Sequence, residues 1–338
     1  RMLQERIEGK WLAAFRRVFA LNGIGQGTKI AIISETQSRP VLVHLCELAA
    51  YDLGAESFHI QMPTPAQTAP VPVKSTGTSW AIAGNRAVVE ALKLVEVIVD
   101  CTVEGLIHAP EWPEIEDAGR TRLLVITNEH PEILERTEPK AEDDVKLQIG
   151  IQMLREAAEM RVTSAAGTDL TVDLRGAPCG GTAGFGTKPG AVAHWPAGLC
   201  LAFPGKDAVN GRAVMDVGDM NLTFKTFLTS RIDFTIENDF VTTIKGDGID
   251  ALHFREYMEA WGDRNAYGLS HVGWGMNHGA QWVSAAMYVA VGWIGAVAFP
   301  QIVGTAGVWA GLLIATGGIL YAVGAVVYGL LAATSVLP

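Results

Sequence analysis

Alternating strand and helix patterns over residues 1–140 predict an α/β N-terminal domain on a parallel sheet. A long bridging helix, then many short strand patterns between turn residues, predicts a second, β-rich α+β domain over 141–287. A third observation separates the end of the chain. All 26 basic and 36 acidic side chains lie at or before Arg264, so residues 265–338 contain no Asp, Glu, Lys or Arg. A soluble domain needs charge on its outer face, so this stretch predicts an apolar helical hairpin tail over 288–338.

Residues 5–21 have helical spacing, with Ile7, Trp11, Leu12, Phe15, Val18 and Phe19 on one side. Gly23-Ile-Gly-Gln-Gly27 follows, then the apolar strand 29–34. These glycines precede the strand, whereas a dinucleotide fingerprint follows one and opens a helix, so they read as a turn. Residues 40–53 read as a helix with Pro40 in its first turn. Residues 57–62 read as a strand, 82–94 as a helix, and 95–101 and 122–127 as buried strands. Residues 141–160 form the bridging helix, with acidic residues in its first turn where the helix dipole favours them.

In the second domain, strands are predicted at 162–164, 170–174, 199–203, 213–217, 231–236 and 240–245, with a capped helix over 250–261. In the tail, 283–299 is near the lower length limit for spanning a bilayer, and 306–331 is long enough to span one. Gly311, Gly317, Gly318 and Gly324 are residues that let membrane helices pack closely. The alternative is an apolar core hairpin of a soluble protein.

The net charge of −10 argues against a nucleic-acid surface. Four cysteines, none in a CxxC pair, read as free, mostly buried thiols of a reducing compartment. The charged start, residues 1–10, does not read as a signal peptide. These features imply a cytoplasmic body, membrane-associated through 289–338.

Eight histidines are the main candidates for chemistry. His44 and His253 fall in helix patterns, His59 in a strand pattern and His130 at a turn before Pro131, all structural settings. His108, His194 and His271 sit in loop-like stretches beside Pro, Gly or Trp, where imidazole can bind metal or move protons. His108 follows the strand 95–101, and α/β sheets bind ligands at the carboxyl ends of their strands. His271 and His278 are seven residues apart, and on a helix their roughly 10 Å of rise would exclude one shared metal. Asp169, Asp216 and Asp219 read as turn-forming carboxylates.

Gly167-Thr-Asp-Leu170, His194-Trp-Pro-Ala-Gly198, Val217-Gly-Asp219 and Gly268-Leu-Ser-His-Val-Gly-Trp-Gly275, with Ala280-Gln-Trp282, resemble the 2,5-dihydroxypyridine 5,6-dioxygenase family from about residue 5 to Met287. The resemblance implies an M29-aminopeptidase-like fold and ring cleavage with O2 at Fe(II) held by two His and one Asp, a ligand set suited to non-haem iron. It implies that His271 is the first metal ligand and that His108 and His194 are catalytic, lining the pocket of a small aromatic or N-heteroaromatic substrate. A family acid/base Glu falls near Thr182.

The remaining family ligands belong some fifty residues beyond the first, yet 289–338 has no His, Asp or Glu. That stretch resembles the last transmembrane helices of hemolysin III and the progestin/adipoQ receptors, notably Gly317-Gly-Ile-Leu-Tyr-Ala-Val-Gly-Ala-Val-Val-Tyr328. The similarity switches near Tyr288, so the second domain is expected to be incomplete and the oxidoreductase impaired in iron binding. Two alternatives stay open: an M29-like metallo-aminopeptidase, against which Leu199 stands where a Glu ligand is expected, and a membrane-tethered non-enzymatic protein. A homo-oligomer is left open.

Overall fold

Residues 29–35 are extended because both faces of the segment are apolar and both are covered, the condition under which a strand reads as a continuous hydrophobic run. The computed structural model describes residues 6–66, 79–221, 224, 226–277 and 279. In chain order it begins α1 (Gly9–Leu21), β1 (Lys29–Glu35), α2 (Pro40–Asp52), β2 (Glu56–Met62), α3 (Arg86–Leu92), β3 (Val97–Asp100), α4 (Trp112–Glu116), β4 (Arg122–Ile126), α5 (Pro131–Arg136) and α6 (Ala141–Glu156). The helix expected over 82–94 is shorter, because the Asn85 side chain accepts from Val88 N–H and starts α3 there.

The parallel sheet runs β2-β1-β3-β4-β8, where β8 is Val192–Trp195. The sequence pattern predicts a first domain ending at residue 140 and no strand at 192–195. The fifth strand crosses back from beyond that boundary to pair with β4, Val125 opposite His194. Side chains alternate between two cores. Ile30, Ile32, Val97, Val99, Leu124, Ile126, Ala193 and Trp195 pack under α1 and α2. Ala31, Ile33, Ile98, Leu123 and Val125 pack under α3, α4, Leu106 and Ala109. The Gly23–Gly27 segment is the expected turn, with Thr28 N–H donating to Gly25 O.

The later strands are β5 (Glu159–Thr163), β6 (Asp169–Asp173), β7 (Cys179–Thr182), β9 (Leu199–Ala202), β10 (Val209–Met215), β11 (Met220–Asn221), β12 (Thr226–Phe227), β13 (Ile232–Glu237), β14 (Phe240–Lys245) and β15 (Val272–Gly275), with α7 at Ile249–Ala260. A five-stranded antiparallel sheet, β14-β13-β10-β6-β5, packs on α7, where the Phe234 and Phe254 rings lie 5.1 Å apart. A three-stranded sheet, β15-β9-β7, lies against α6. The bridging helix ends at Glu156 rather than Met160, because Glu159 and Met160 pair with Asp173 and Val172, and sheet pairing overrides helix propensity. Asp250 does not cap α7. Gly248 holds that position, and the Asp250 carboxylate takes N–H and O–H donors from Thr229 and Ser230.

An α/β part with a parallel sheet and an antiparallel β-rich part are therefore present. The tail predicted at 288–338 lies outside the described residues. Among the described residues no helix is long and apolar enough to cross a membrane. All four cysteines are free, and Cys46 and Cys101 face each other with sulfurs 3.6 Å apart.

Candidate active site

The β3 strand ends at the fully buried Asp100, and the chain then turns over the carboxyl edge of the sheet. Leu106 and Ala109 sink into the core under α3 and α4 and hold the half-buried His108 between them. Burial pushes the His108 imidazole down to about 4, so it is neutral at neutral pH.

His271 immediately precedes β15, which pairs with β9 so that Val272 faces Ala202. Two glycines of the flanking motifs make this packing possible. A Cβ at Gly273 would stand 2.1 Å from the Cys200 carbonyl oxygen. Gly198 adopts φ 97°, and its carbonyl accepts from Met276 N–H at 2.6 Å. His271 is buried, with Ser270 Oγ 3.0 Å from Nδ1 and the Phe203 ring 5.3 Å away at its edge. Burial first, and nearby His108 second, push it to about 3. The structure thus brings His108 and His271 within electrostatic reach of each other.

His194 lies in β8. Strand alternation places it on the same side of the sheet as Val192 and Val125, the side that carries Leu106 and Ala109. Its Nδ1 lies 2.6 Å from Pro196 O. A carbonyl only accepts, so Nδ1 carries the proton and Nε2 is the basic nitrogen. Burial pushes this imidazole down to about 4, opposed by that hydrogen bond. Sheet geometry relates His194 to the other two.

The remaining sequence candidates take structural roles. His44 and His253 are exposed. His59 bridges Ser34 Oγ at 2.7 Å and Glu47 at 3.1 Å. His130 caps α5, accepting from Glu132 N–H. Asp169 pairs with Arg161 through two 2.9 Å contacts. Asp219 accepts from Asp216 N–H and closes a turn. Thr182, at the acid/base position, uses its hydroxyl to accept from Gly184 N–H at 3.0 Å. Leu199 is buried in β9. His278 lies outside the described residues.

Two further residues at this edge, Asp100 and Glu35, are not among the candidates expected from the sequence. Both are buried carboxylates at the ends of neighbouring parallel strands, where the sheet order reverses between β1 and β3. Burial raises Asp100 to about 6, opposed by hydrogen bonds from Thr102 and Leu106, with Glu35 adding to the rise. The available signal was an acid ending an otherwise apolar run: Val97-Ile-Val-Asp100 and Ile30-Ala-Ile-Ile-Ser-Glu35.

A buried neutral imidazole such as His271, with Nδ1 engaged, suits a metal ligand. The rest of a donor set does not accompany it. Among the described residues no group of three His, Cys, Asp or Glu could hold a metal ion. Outside them, the sequence contains only Glu5 and His278 of these four types. Among the described residues, those present do not fit a three-ligand iron site.

Fold and site define a two-part α/β protein of M29-like fold with neutral buried imidazoles at the carboxyl edge of its parallel sheet. Wild-type AmpT from Thermus thermophilus shares the fold, with TM-score 0.52 at 14% identity over 79% of this chain and 78% of that one. The solved 2,5-dihydroxypyridine dioxygenase from Pseudomonas putida KT2440 superposes with TM-score 0.75 at 31% identity, over 82% of this chain and 79% of that one. The curated 2,5-dihydroxypyridine 5,6-dioxygenase of the same strain is 32% identical over 278 residues, 81% of this chain and 77% of its own length. The NicX family model, 2,5-dihydroxypyridine 5,6-dioxygenase, matches residues 10–298. The chain belongs to the 2,5-dihydroxypyridine 5,6-dioxygenase family. The match reaches past the change of character that the sequence analysis placed near Tyr288.

Proposed function

We propose that this chain is the body of a ring-cleaving dioxygenase acting on a small aromatic or N-heteroaromatic substrate with O2, and that it holds Fe(II) poorly. The observation that carries the reading is family membership over a span that includes His108, His194 and His271. Iron, if bound at His271, would supply O2 activation. The chain's own contribution is to present neutral imidazoles. His194 Nε2 accepts a proton from a ring hydroxyl, and His108 accepts or returns one beside it. His271 is the residue assigned here to the family's first metal position, on the strength of its motif, its burial and its engaged Nδ1.

The test is metal content and oxygen uptake on the purified full chain. We expect iron well below one per chain, and oxygen uptake with 2,5-dihydroxypyridine or catechol-like rings close to background. Stoichiometric iron that His271→Ala abolishes would overturn the impaired reading. Release of leucine from peptides would favour the aminopeptidase reading, which Leu199 argues against: it is buried in β9 between Thr182 and Gly275 and offers no donor. The proposal for residues 289–338 is membrane contact, and loss of vesicle partition on deleting them is the expected result.

A further inference from the structure

We infer that Asp100 is a positioning residue, its carboxylate holding the loop that presents His108 at the carboxyl edge of the parallel sheet. The value of that placement to catalysis rests on the proposed function; the placement itself does not. Both carboxylate oxygens are spent on this loop. Oδ1 accepts from Thr102 N–H at 2.9 Å and from the Thr102 hydroxyl at 2.6 Å. Oδ2 accepts from Leu106 N–H at 2.5 Å. The Thr102 hydroxyl in turn accepts from Gly105 N–H at 3.1 Å. One side chain therefore closes the segment 102–106 from both ends.

His108 hangs on the clamped atoms. Leu106, whose N–H Asp100 holds, accepts from Ala109 N–H at 2.9 Å, so His108 lies inside the turn that starts at Leu106. Ala109 O then accepts from Trp112 N–H at 3.0 Å, which passes the constraint to α4. A second brace reaches the loop from β1. Ser79 N–H donates to Gly105 O at 2.9 Å, and Ser79 Oγ donates to Glu35 Oε1 at 2.6 Å. Only a carboxylate satisfies all three donors on Asp100. An amide of equal size has one accepting oxygen, and its NH2 would face either Leu106 N–H or the Thr102 donors.

The experiment is a 1H–13C spectrum of the full chain labelled at histidine Cε1, with the His108 peak assigned by its loss in His108→Gln. In folded Asp100→Asn we expect the His108 peak to move or broaden while His44, His130 and His253 keep theirs. Thr102→Val should move the same peak by less. A folded Asp100→Asn with the His108 peak at its wild-type position overturns the proposal. If Asp100→Asn does not fold, an unmoved His108 peak in Thr102→Val overturns it instead. Adding 2,5-dihydroxypyridine to the wild type separates the two readings. If the ring leaves His108 and His194 unperturbed while Asp100→Asn still displaces His108, the proposed function fails and the positioning role stands.

Discussion

His59 and His271 are the same side chain in two neighbourhoods, and the difference separates scaffold from site. His59 lies on β2 with both ring nitrogens engaged, one by Ser34 and one by Glu47. Its neighbours include a hydroxyl and a carboxylate, and the group bridges β1, α2 and β2. His271 is buried beside Phe203, with a serine on Nδ1 and another imidazole nearby. Nothing in that set welcomes a proton. A histidine that is bonded at both nitrogens holds a fold together. A histidine kept neutral, with one nitrogen held aside, is prepared for a ligand.

Acid should expose this difference most strongly. His108, His194 and His271 titrate near 4, 4 and 3 in the fold. Unfolded imidazole titrates at about 6.5. Between these values the unfolded chain binds more protons, so stability is full above about pH 6.5 and falls as pH drops toward 4. Each tenfold drop in proton affinity on folding is worth about 1.4 kcal/mol, so the three together cost several kcal/mol. Asp100 acts in the opposite sense: raised to about 6, it loses stability as pH rises from 4 to 6, so it offsets part of the loss. Urea midpoints from pH 7.5 to 4.5 measure the slope, and a flat profile would break the comparison.

Gly273→Ala should be the next largest effect. The new methyl would meet Cys200 O at 2.1 Å and Leu201 Cα at 2.7 Å, both backbone atoms that cannot rotate away. We expect a loss of about 3 kcal/mol or more, read as a fall in Tm, because β15 and β9 must separate and carry His271 with them.

Glu47→Gln should be the smallest. The Glu47–His59 pair is partly exposed, so its loss should cost under about 1 kcal/mol and leave His108, His194 and His271 unmoved in the same histidine spectrum. A larger cost would mean that the β2 edge is coupled to the site.

Much of the architecture was legible along the chain. The apolar runs that became β1, β3 and β4 are buried on both faces, so their pattern did not depend on a particular partner. The motifs around His194 and His271 were equally visible, and their glycines now have a physical reason in the close approach to Cys200 and Asn277. The role of Asp100 and the strand β8 were not legible. Four residues, Val192–Trp195, are too few to show a period, and they form a strand only because β4 offers an open edge. An acid closing an apolar run marks Asp100 in the sequence, but its role does not show there, because it accepts three donors from residues two and six positions later that only the folded loop brings to it.

The strand–helix alternation through β4, the identity of the three imidazoles and the shortage of metal-binding side chains were all present in the linear chain. They follow from local pattern and from counting residue types. Three features arose only on folding: the approach of His108 to His271, the last strand of the parallel sheet drawn from the second half of the chain, and the buried carboxylate that holds the loop at the sheet's edge. Those are long-range pairings, and burial, which sets the charge of each imidazole, exists only once distant segments have packed.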